Sequence, residues 1–405
     1  MWRQLVELIP AHLVPRLARE TGADLQARTF SAWSHVVTML YAQVSHAFGL
    51  NDVCDALRLQ VSALFAVRAA RPPARNTLSH ANKIRPCALA EKLFWAMLAH
   101  LPSLHPGFSR GGQRGLTWRF RRAIHVVDAT TIQLVASCMD WAKHRRRKAA
   151  AKCHLRIDLQ SFLPRFAIVD PAREHDSTRA VEMCTGLREG EIVLFDKAYL
   201  HFTHLWSLAE RGVFFVTRAK DNLTAKVKKR LPAHPDPRIL RDDLIVLVGH
   251  YARQDYPGVL RRVTALVEID GEDRVMVFLT NNLAWSPRTV CDLYRCRWTI
   301  EVFFKQLKQT VQLVDFLGHN ANAVKWQVWT ALLVHLLLRF LAWRSRWTHS
   351  FTRLFTFVRA ALWLERDLAD LLKRCGTADG DFRSIGPPAQ AWLPGFASPL
   401  MGQHA

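Results

Sequence analysis

No two of the eight cysteines stand in a C-x-x-C pair. That scatter suits neither a structural zinc site nor a disulfide framework, and it predicts reduced thiols in a cytoplasmic protein. The opening run MWRQLVELIPAHLV lacks a basic segment followed by an apolar stretch and a small-residue cleavage site, so export is not expected. No uninterrupted apolar run is long enough to span a bilayer comfortably. The nearest, Trp326 to Trp343, contains Gln327, His335 and Arg339 and is expected to be a buried core helix, with no membrane partner. A Gly-rich phosphate cradle and a nucleophile elbow are missing too, which removes the usual signatures of a small-molecule enzyme. There is no internal repeat.

Acid is scarce relative to base: Asp and Glu number 34 against 56 Lys and Arg, a formal charge of +22. A surface so basic gains free energy by releasing the counterions of a polyphosphate, which points to nucleic acid as the partner. An acidic membrane surface is the other partner that charge alone allows. Half the chain is hydrophobic, with 14 Trp and 22 Phe to bury, so it is globular. At 405 residues it predicts two or three domains.

Residues 1–102 carry apolar positions every three or four residues, notably in Ser34–Phe48 and Val53–Phe65, and predict a helical domain. Two prolines in Arg68–Arg75 break that pattern, and Asn76 or Thr77 then caps a short helix that ends at Pro86. A helix-turn-helix DNA reader presenting Asn76, Ser79, His80, Asn82, Lys83 and Arg85 is one reading of this segment; an ordinary helical bundle is the other. The Pro- and Gly-rich stretch Pro102–Gly115 marks the main boundary.

Beyond it the pattern turns to strands, at Ala123–Val135, Cys153–Leu159 and Pro164–Asp170, with the basic run Lys143–Lys148 between the first two. A helix (Thr178–Leu187), a strand (Ile192–Phe195), a helix (Phe202–Glu210) and a strand (Val213–Thr217) follow. Three successive strands and then alternation describe an α/β fold: a mixed sheet with helices on its faces, compatible with a ribonuclease-H-like core. We divide it into a first part at 116–220, a β-rich insertion at 221–282 with a hairpin turn at Asp270-Gly271, and a second part at 283–345. Ser286-Pro287 opens a long helix reaching about Leu313. Residues 346–405 form a C-terminal helical region and tail.

On that long helix Tyr294, Arg297, Glu301 and Lys308 fall within an arc of roughly 60° at about 100° per residue. Such a stripe is also what a surface salt bridge produces, since Arg297 and Glu301 are an i,i+4 pair. The aspartates change the weighing. Asp128 lies in a strand after Val126 and Val127, and Asp196 closes the short apolar strand Ile192–Phe195. A carboxylate beside a buried strand is costly unless a cation or hydrogen bonds compensate it. Two of them plus Glu301, in so basic a chain, argue for an oxygen-only metal site suited to two Mg²⁺ ions, with Mn²⁺ as substitute. A pair of such ions about 4 Å apart supports in-line phosphoryl displacement, activating the nucleophile and stabilising the leaving oxygen. Arg297 and Lys308 then grip flanking phosphates, while Tyr294 hydrogen-bonds or stacks.

The run Tyr294–Lys308 resembles the Y-x2-R-x3-E-x6-K signature of bacterial transposases of the insertion-sequence 4 family, matching at all four positions. Asp128-Ala129-Thr130 and Phe195-Asp196-Lys197-Ala198-Tyr199 resemble the family's two aspartate segments. Phe214–Arg218 and Phe278–Asn281 also fall where the family has such runs, so the likeness covers about residues 25–345. The resemblance implies a DNA transposase on a ribonuclease-H-like fold, with Asp128, Asp196 and Glu301 as the metal-binding DDE triad. It implies that Tyr294, Arg297 and Lys308 contact element-end DNA, and that a homodimer or larger synaptic complex joins the ends to target DNA. Two departures stand out. Lys197-Ala198 replaces the more usual Arg-Gly. The insertion holds no Trp, leaving Tyr251, Tyr256 and Phe278 as candidate base stackers. A nuclease with this core, and a DNA-binding regulator without catalysis, are the competing readings.

Overall fold

The computed structural model describes residues 1–25, 27–109, 120, 122–134, 138, 143–145, 148–171, 176–269, 271–310, 316–367 and 371–372. The N-terminal region is helical, as its periodicity predicts: α1 (Trp2–Glu7), α2 (Leu13–Thr21), α3 (Ala32–Ser45), α4 (Leu50–Leu59), α5 (Val61–Phe65), α6 (Arg75–Ile84), α7 (Ala88–Leu104) and α8 (Pro106–Ser109). Ser31 starts α3 by accepting the Ser34 N–H at 3.1 Å, a side-chain cap for an otherwise orphaned donor. The expected caps of α6 are not used. The helix begins two or three residues earlier, at Arg75, with Ala74 before it and no side-chain cap.

The polar face read for α6 divides in two. Asn76, Ser79, His80 and Lys83 are exposed, but Asn82 and Arg85 are buried. Asn82 Oδ1 lies 2.8 Å from His35 Nε2, and Arg85 donates to the carbonyls of Phe30 and Ser31. Those two side chains tie α6 to α3 and the segment before it. The expected boundary at Pro102–Gly115 is crossed by α7, which continues through Pro102 to Leu104; residues 110–119 lie outside the described set.

The strands β1 (Ile124–Leu134), β2 (Lys143–Arg145), β3 (Lys148–Asp158), β4 (Leu163–Pro171), β5 (Ile192–Phe195), β6 (Phe214–Arg218), β7 (Ala225–Arg230), β8 (Ile239–Leu247), β9 (Leu260–Ile269) and β10 (Glu272–Thr280) form one ten-stranded sheet. Its order is β2-β3-β1-β5-β6-β10-β9-β8-β7, with β4 also paired to β3. The basic run becomes the β2–β3 hairpin, whose residues 146 and 147 are outside the described set. β1 runs antiparallel to β3 and parallel to β5, and β5 runs parallel to β6. The 221–282 segment does not stand apart from the sheet. Its last strand β10 pairs antiparallel with β6, Leu279 opposite Thr217, so β7–β10 extend the same sheet. β9 and β10 pair as the expected hairpin, Ile269 opposite Glu272, with Gly271 at φ +81°, a conformation glycine adopts without strain; Asp270 lies outside the described residues.

Both faces of the central strands are covered, so alternate residues enter different cores. Val193 and Phe195 of β5 pack with Val127 and Phe215 against α9 (Asp176–Met183), α10 (Phe202–Glu210) and, through the Tyr256 that follows it, α11 (His250–Asp255). Ile192 and Leu194 join Ile124 and Val126 on the opposite face. That second face receives α12 (Pro287–Cys296) and α13 (Trp298–Lys305).

The long helix expected from Ser286 to Leu313 is therefore broken. Ser286 Oγ caps α12 by accepting the Thr289 N–H at 3.1 Å, as read from Ser-Pro. At Arg297 the backbone tightens: its N–H goes to Tyr294 O at 2.9 Å and its own carbonyl accepts the Ile300 N–H at 3.1 Å, both i→i+3 bonds. Past Lys305 the chain widens into a π-helical turn, Gln306–Thr310, and residues 311–315 lie outside the described set.

The apolar Trp326–Trp343 stretch lies within α14 (Ala321–Arg344), a helix long and apolar enough by composition to cross a membrane. Here it is a core helix, buried on nearly every side, and it packs against α3, α6 and α7. The last described helix, α15 (Phe351–Ala360), lies against α3 and α14. The N-terminal helices thus share a core with the helices that follow the sheet. The tail from 373 onward is outside the described residues.

Candidate active site

Side chains alternate across a strand, so parity decides which face Asp128 and Asp196 join. Asp128 shares parity with Ile124 and Val126, and Asp196 with Ile192 and Leu194, all four of which face α12 and α13. The β1–β5 register aligns Val127 with Phe195, so Asp128, within β1, and Asp196, just past the end of β5, follow side by side where the parallel pairing stops. Each is steadied by its neighbour's backbone: the Ala129 N–H donates to Asp128 Oδ1 and the Lys197 N–H to Asp196 Oδ1, both at 2.8 Å. Sequence reasoning missed these donors, which carry no side-chain signal.

The third element closes the site from above. Ile300, Phe303 and Phe304 bury one side of α13, with Phe303 edge-on to Phe162 at 5.7 Å. Arg297 and Glu301 flank that side. Arg297 Nη1 donates to Asp128 Oδ2 at 2.9 Å and Nη2 to Glu301 Oε1 at 2.8 Å. The Tyr294 hydroxyl donates to Asp196 Oδ1 at 3.4 Å, and its ring packs on Phe278 at 4.8 Å. Five of the six residues singled out from sequence, 128, 196, 294, 297 and 301, therefore meet across three distant segments. The sixth, Lys308, lies half-buried in the π-helical turn, and its side chain forms no hydrogen bond or ion pair with a described residue.

Burial pushes the Asp128 carboxyl up to about 6; Arg297 and the Ala129 amide pull against that, while Asp196 and Glu301 add to it. Burial likewise raises the Tyr294 phenol to about 12, so it remains a donor. For Arg297, burial opposes the charge, but Tyr294, Asp128, Asp196 and Glu301 more than offset it and the guanidinium is held protonated. Lys308 is lowered by burial.

Some expectations change. Tyr294 is buried against Phe278, so it serves as a hydrogen-bond donor and its ring has no face free for a base. Phe278 and Tyr256 are buried as well, leaving Tyr251, 80% exposed, as the open aromatic among the three candidate stackers. Among the described residues no three Asp, Glu, His or Cys groups are close enough to hold one ion jointly. At this site Arg297 stands between two of the three carboxylates.

Two aspartates set side by side on parallel strands β1 and β5, facing Arg297 and Glu301, define a class, and comparison bears it out. Residues 119–337 match the transposase DDE domain and residues 1–66 match a domain of unknown function (DUF4372). The first match spans more than half the chain, which belongs to the DDE transposase family and is a DNA transposase. A protein of Sinorhizobium fredii named "Putative transposase y4zB" is 30% identical over 300 residues, covering 73% of this chain and 80% of that one. The transposase of insertion sequence element IS231E from Bacillus thuringiensis is 23% identical over 82% of this chain and 78% of its own. Transposase InsG of IS4 from Escherichia coli is 24% identical over 45% of this chain and 42% of its own.

Proposed function

We propose that this chain binds the two ends of its element, cuts DNA there in a Mg²⁺-dependent reaction and joins the freed 3′ ends to target DNA. The observation that carries the reading is the bridge from Asp128 through Arg297 to Glu301, beside an Asp196 placed next to Asp128 by strand register. The strand order β4-β3-β1-β5-β6, antiparallel through the first three and parallel through the last three, supports a ribonuclease-H-like core.

The donor set fits a hard divalent cation. It is made of oxygen ligands alone, and Asp128 and Glu301 already converge on one positive group, the Arg297 guanidinium. Asp128, Asp196 and Glu301 would hold two Mg²⁺ ions, or Mn²⁺ in their place, which supply charge neutralisation and an activated oxygen nucleophile for phosphoryl transfer. The chain's own groups do the positioning. The amides of Ala129 and Lys197 fix one oxygen of each aspartate, and the second oxygen of Asp128 is the one that Arg297 holds. Tyr294 orients Asp196. Arg297 and Lys308 meet DNA phosphates, the planar guanidinium by paired hydrogen bonds and the ammonium as a point charge. The exposed residues of α6 and the net charge of +22 extend the contact to duplex beyond the site. Two ends must be cut and joined together, so the working form is a homodimer or larger synaptic complex.

The test is a strand-transfer assay with labelled end duplex, target plasmid and Mg²⁺. Wild type is expected to yield joined products, and Asp196→Asn to yield neither nicks nor joined products while still binding the duplex. Nicking without any joining would reassign the chain as a nuclease; joining that persists in Asp196→Asn would remove the site.

A further inference from the structure

Arg297 is held in a way that a plain DNA contact does not require. Its side chain is only 10% exposed, and both terminal nitrogens are committed to carboxylates, at 2.9 Å and 2.8 Å. Its Nε is buried with no hydrogen-bond partner, and its guanidinium carbon lies 5.6 Å from the centre of the Tyr294 ring. Glu301, by contrast, has a side chain 56% exposed, and Arg297 is its one described partner. An exposed carboxylate drawn to a buried cation, which also grips a second carboxylate, is the arrangement of a counter-ion.

We propose that Arg297 is the built-in counter-cation of the DNA-free site, occupying the space between Asp128 and Glu301 until a divalent ion replaces it. The inference rests on the metal reading of those carboxylates and adds an order of events to it. Metal entry and Arg297 release become one exchange, in which the ion takes the two oxygens and the guanidinium turns away from them. A released guanidinium presents the planar fork that suits a phosphate, so DNA completes the exchange. Linkage then requires that DNA raise metal affinity and that metal raise DNA affinity by the same factor. A site built this way binds metal poorly until DNA is present.

The probe is Mn²⁺ alone, titrated into full-length, DNA-free protein and followed by loss of the free-ion electron paramagnetic resonance signal. Arg297→Gln removes the competing charge and is expected to bind Mn²⁺ about tenfold or more tighter than wild type, with Arg297→Lys between them. The gain should vanish in Asp128→Asn/Arg297→Gln. Equal or weaker binding by Arg297→Gln, with wild-type binding still lost in Asp128→Asn, overturns the exchange and leaves the metal site standing. Binding that ignores Asp128 in every variant overturns both. A second measurement needs no variant. Phenylglyoxal modification of Arg297 in wild type, mapped by peptide mass, should speed up several-fold when Mg²⁺ is added. An unchanged rate overturns the proposal.

Discussion

Asp128 is pulled in two directions: burial disfavours its charge, and Arg297 at 2.9 Å favours it. Burial wins, lifting the carboxyl to about 6, and this has a sign that can be measured. A carboxyl whose folded pKa exceeds its unfolded value supports the fold fully below the unfolded value, near 4, and loses that support as pH rises through about 6. Asp128→Asn mimics the protonated form. In EDTA at pH 7.5 it should therefore be more stable than wild type, by up to about 3 kcal/mol, with the advantage disappearing toward pH 4. Urea unfolding at the two pH values reads the difference, and equal stability at pH 7.5 would mean that Asp128 ionises freely. At this scale the sequence was informative where residue type and spacing carry the chemistry. Asp128, Asp196, Arg297 and Glu301 could be picked out because acids beside apolar strands and a narrow basic stripe are unusual. The Ala129 and Lys197 amides could not, since every residue has one. Nor could the loss of Asn82 and Arg85 to the core, which depends on His35 and the Phe30 carbonyl arriving from elsewhere.

Among the elements, the β-strands and most helices follow directly from alternation and from three-to-four-residue periodicity. The break at Arg297 does not. Neither Pro nor Gly stands there, and the tightening accompanies a guanidinium pinned to two carboxylates, one of them on another segment. How elements join is equally hidden from local pattern, because an apolar stripe does not name its partner. Asn322 makes one such junction: its Nδ2 donates to the carbonyls of Asn82 and Arg85, at 2.9 Å and 2.7 Å, and its Oδ1 accepts the Cys87 N–H at 2.9 Å. It ties the turn between α6 and α7 to the start of α14. Asn322→Ala strands these backbone groups and is expected to cost about 2–3 kcal/mol, measured as a lower urea midpoint with an unchanged slope. A cost below 0.5 kcal/mol, about the scatter of surface substitutions, would show that the junction is held by apolar packing alone.

For the whole molecule, the composition led to the right broad class and was silent on how its helical parts pack. A basic, half-apolar chain of 405 residues does fold as α/β with a mixed sheet. Yet the helices before the sheet and those after it bury one another: Trp326 lies 4.3 Å from His35, and Trp329 lies 5.6 Å from Phe94. Removing residues 1–109 would uncover Trp326, Trp329 and their neighbours on α14, each worth roughly 1.5–3 kcal/mol of burial. Residues 110–405 expressed alone should therefore be insoluble or aggregated, as read by size-exclusion chromatography. A monodisperse, folded fragment would restore the two-domain division.

The central claim is that Asp128, Asp196 and Glu301 act as one metal site on DNA, and Glu301 offers the cleanest test. Its side chain is 56% exposed, so Glu301→Gln should fold as wild type does, and a lost activity cannot be put down to a lost structure. The measurement is Mg²⁺-dependent cleavage of labelled element-end DNA by wild type and Glu301→Gln, with binding followed in the same samples. Cleavage is expected to fall by a factor on the order of a hundred or more while binding is kept. Undiminished cleavage by Glu301→Gln would contradict it, leaving the bridge to Arg297 a salt bridge and nothing more.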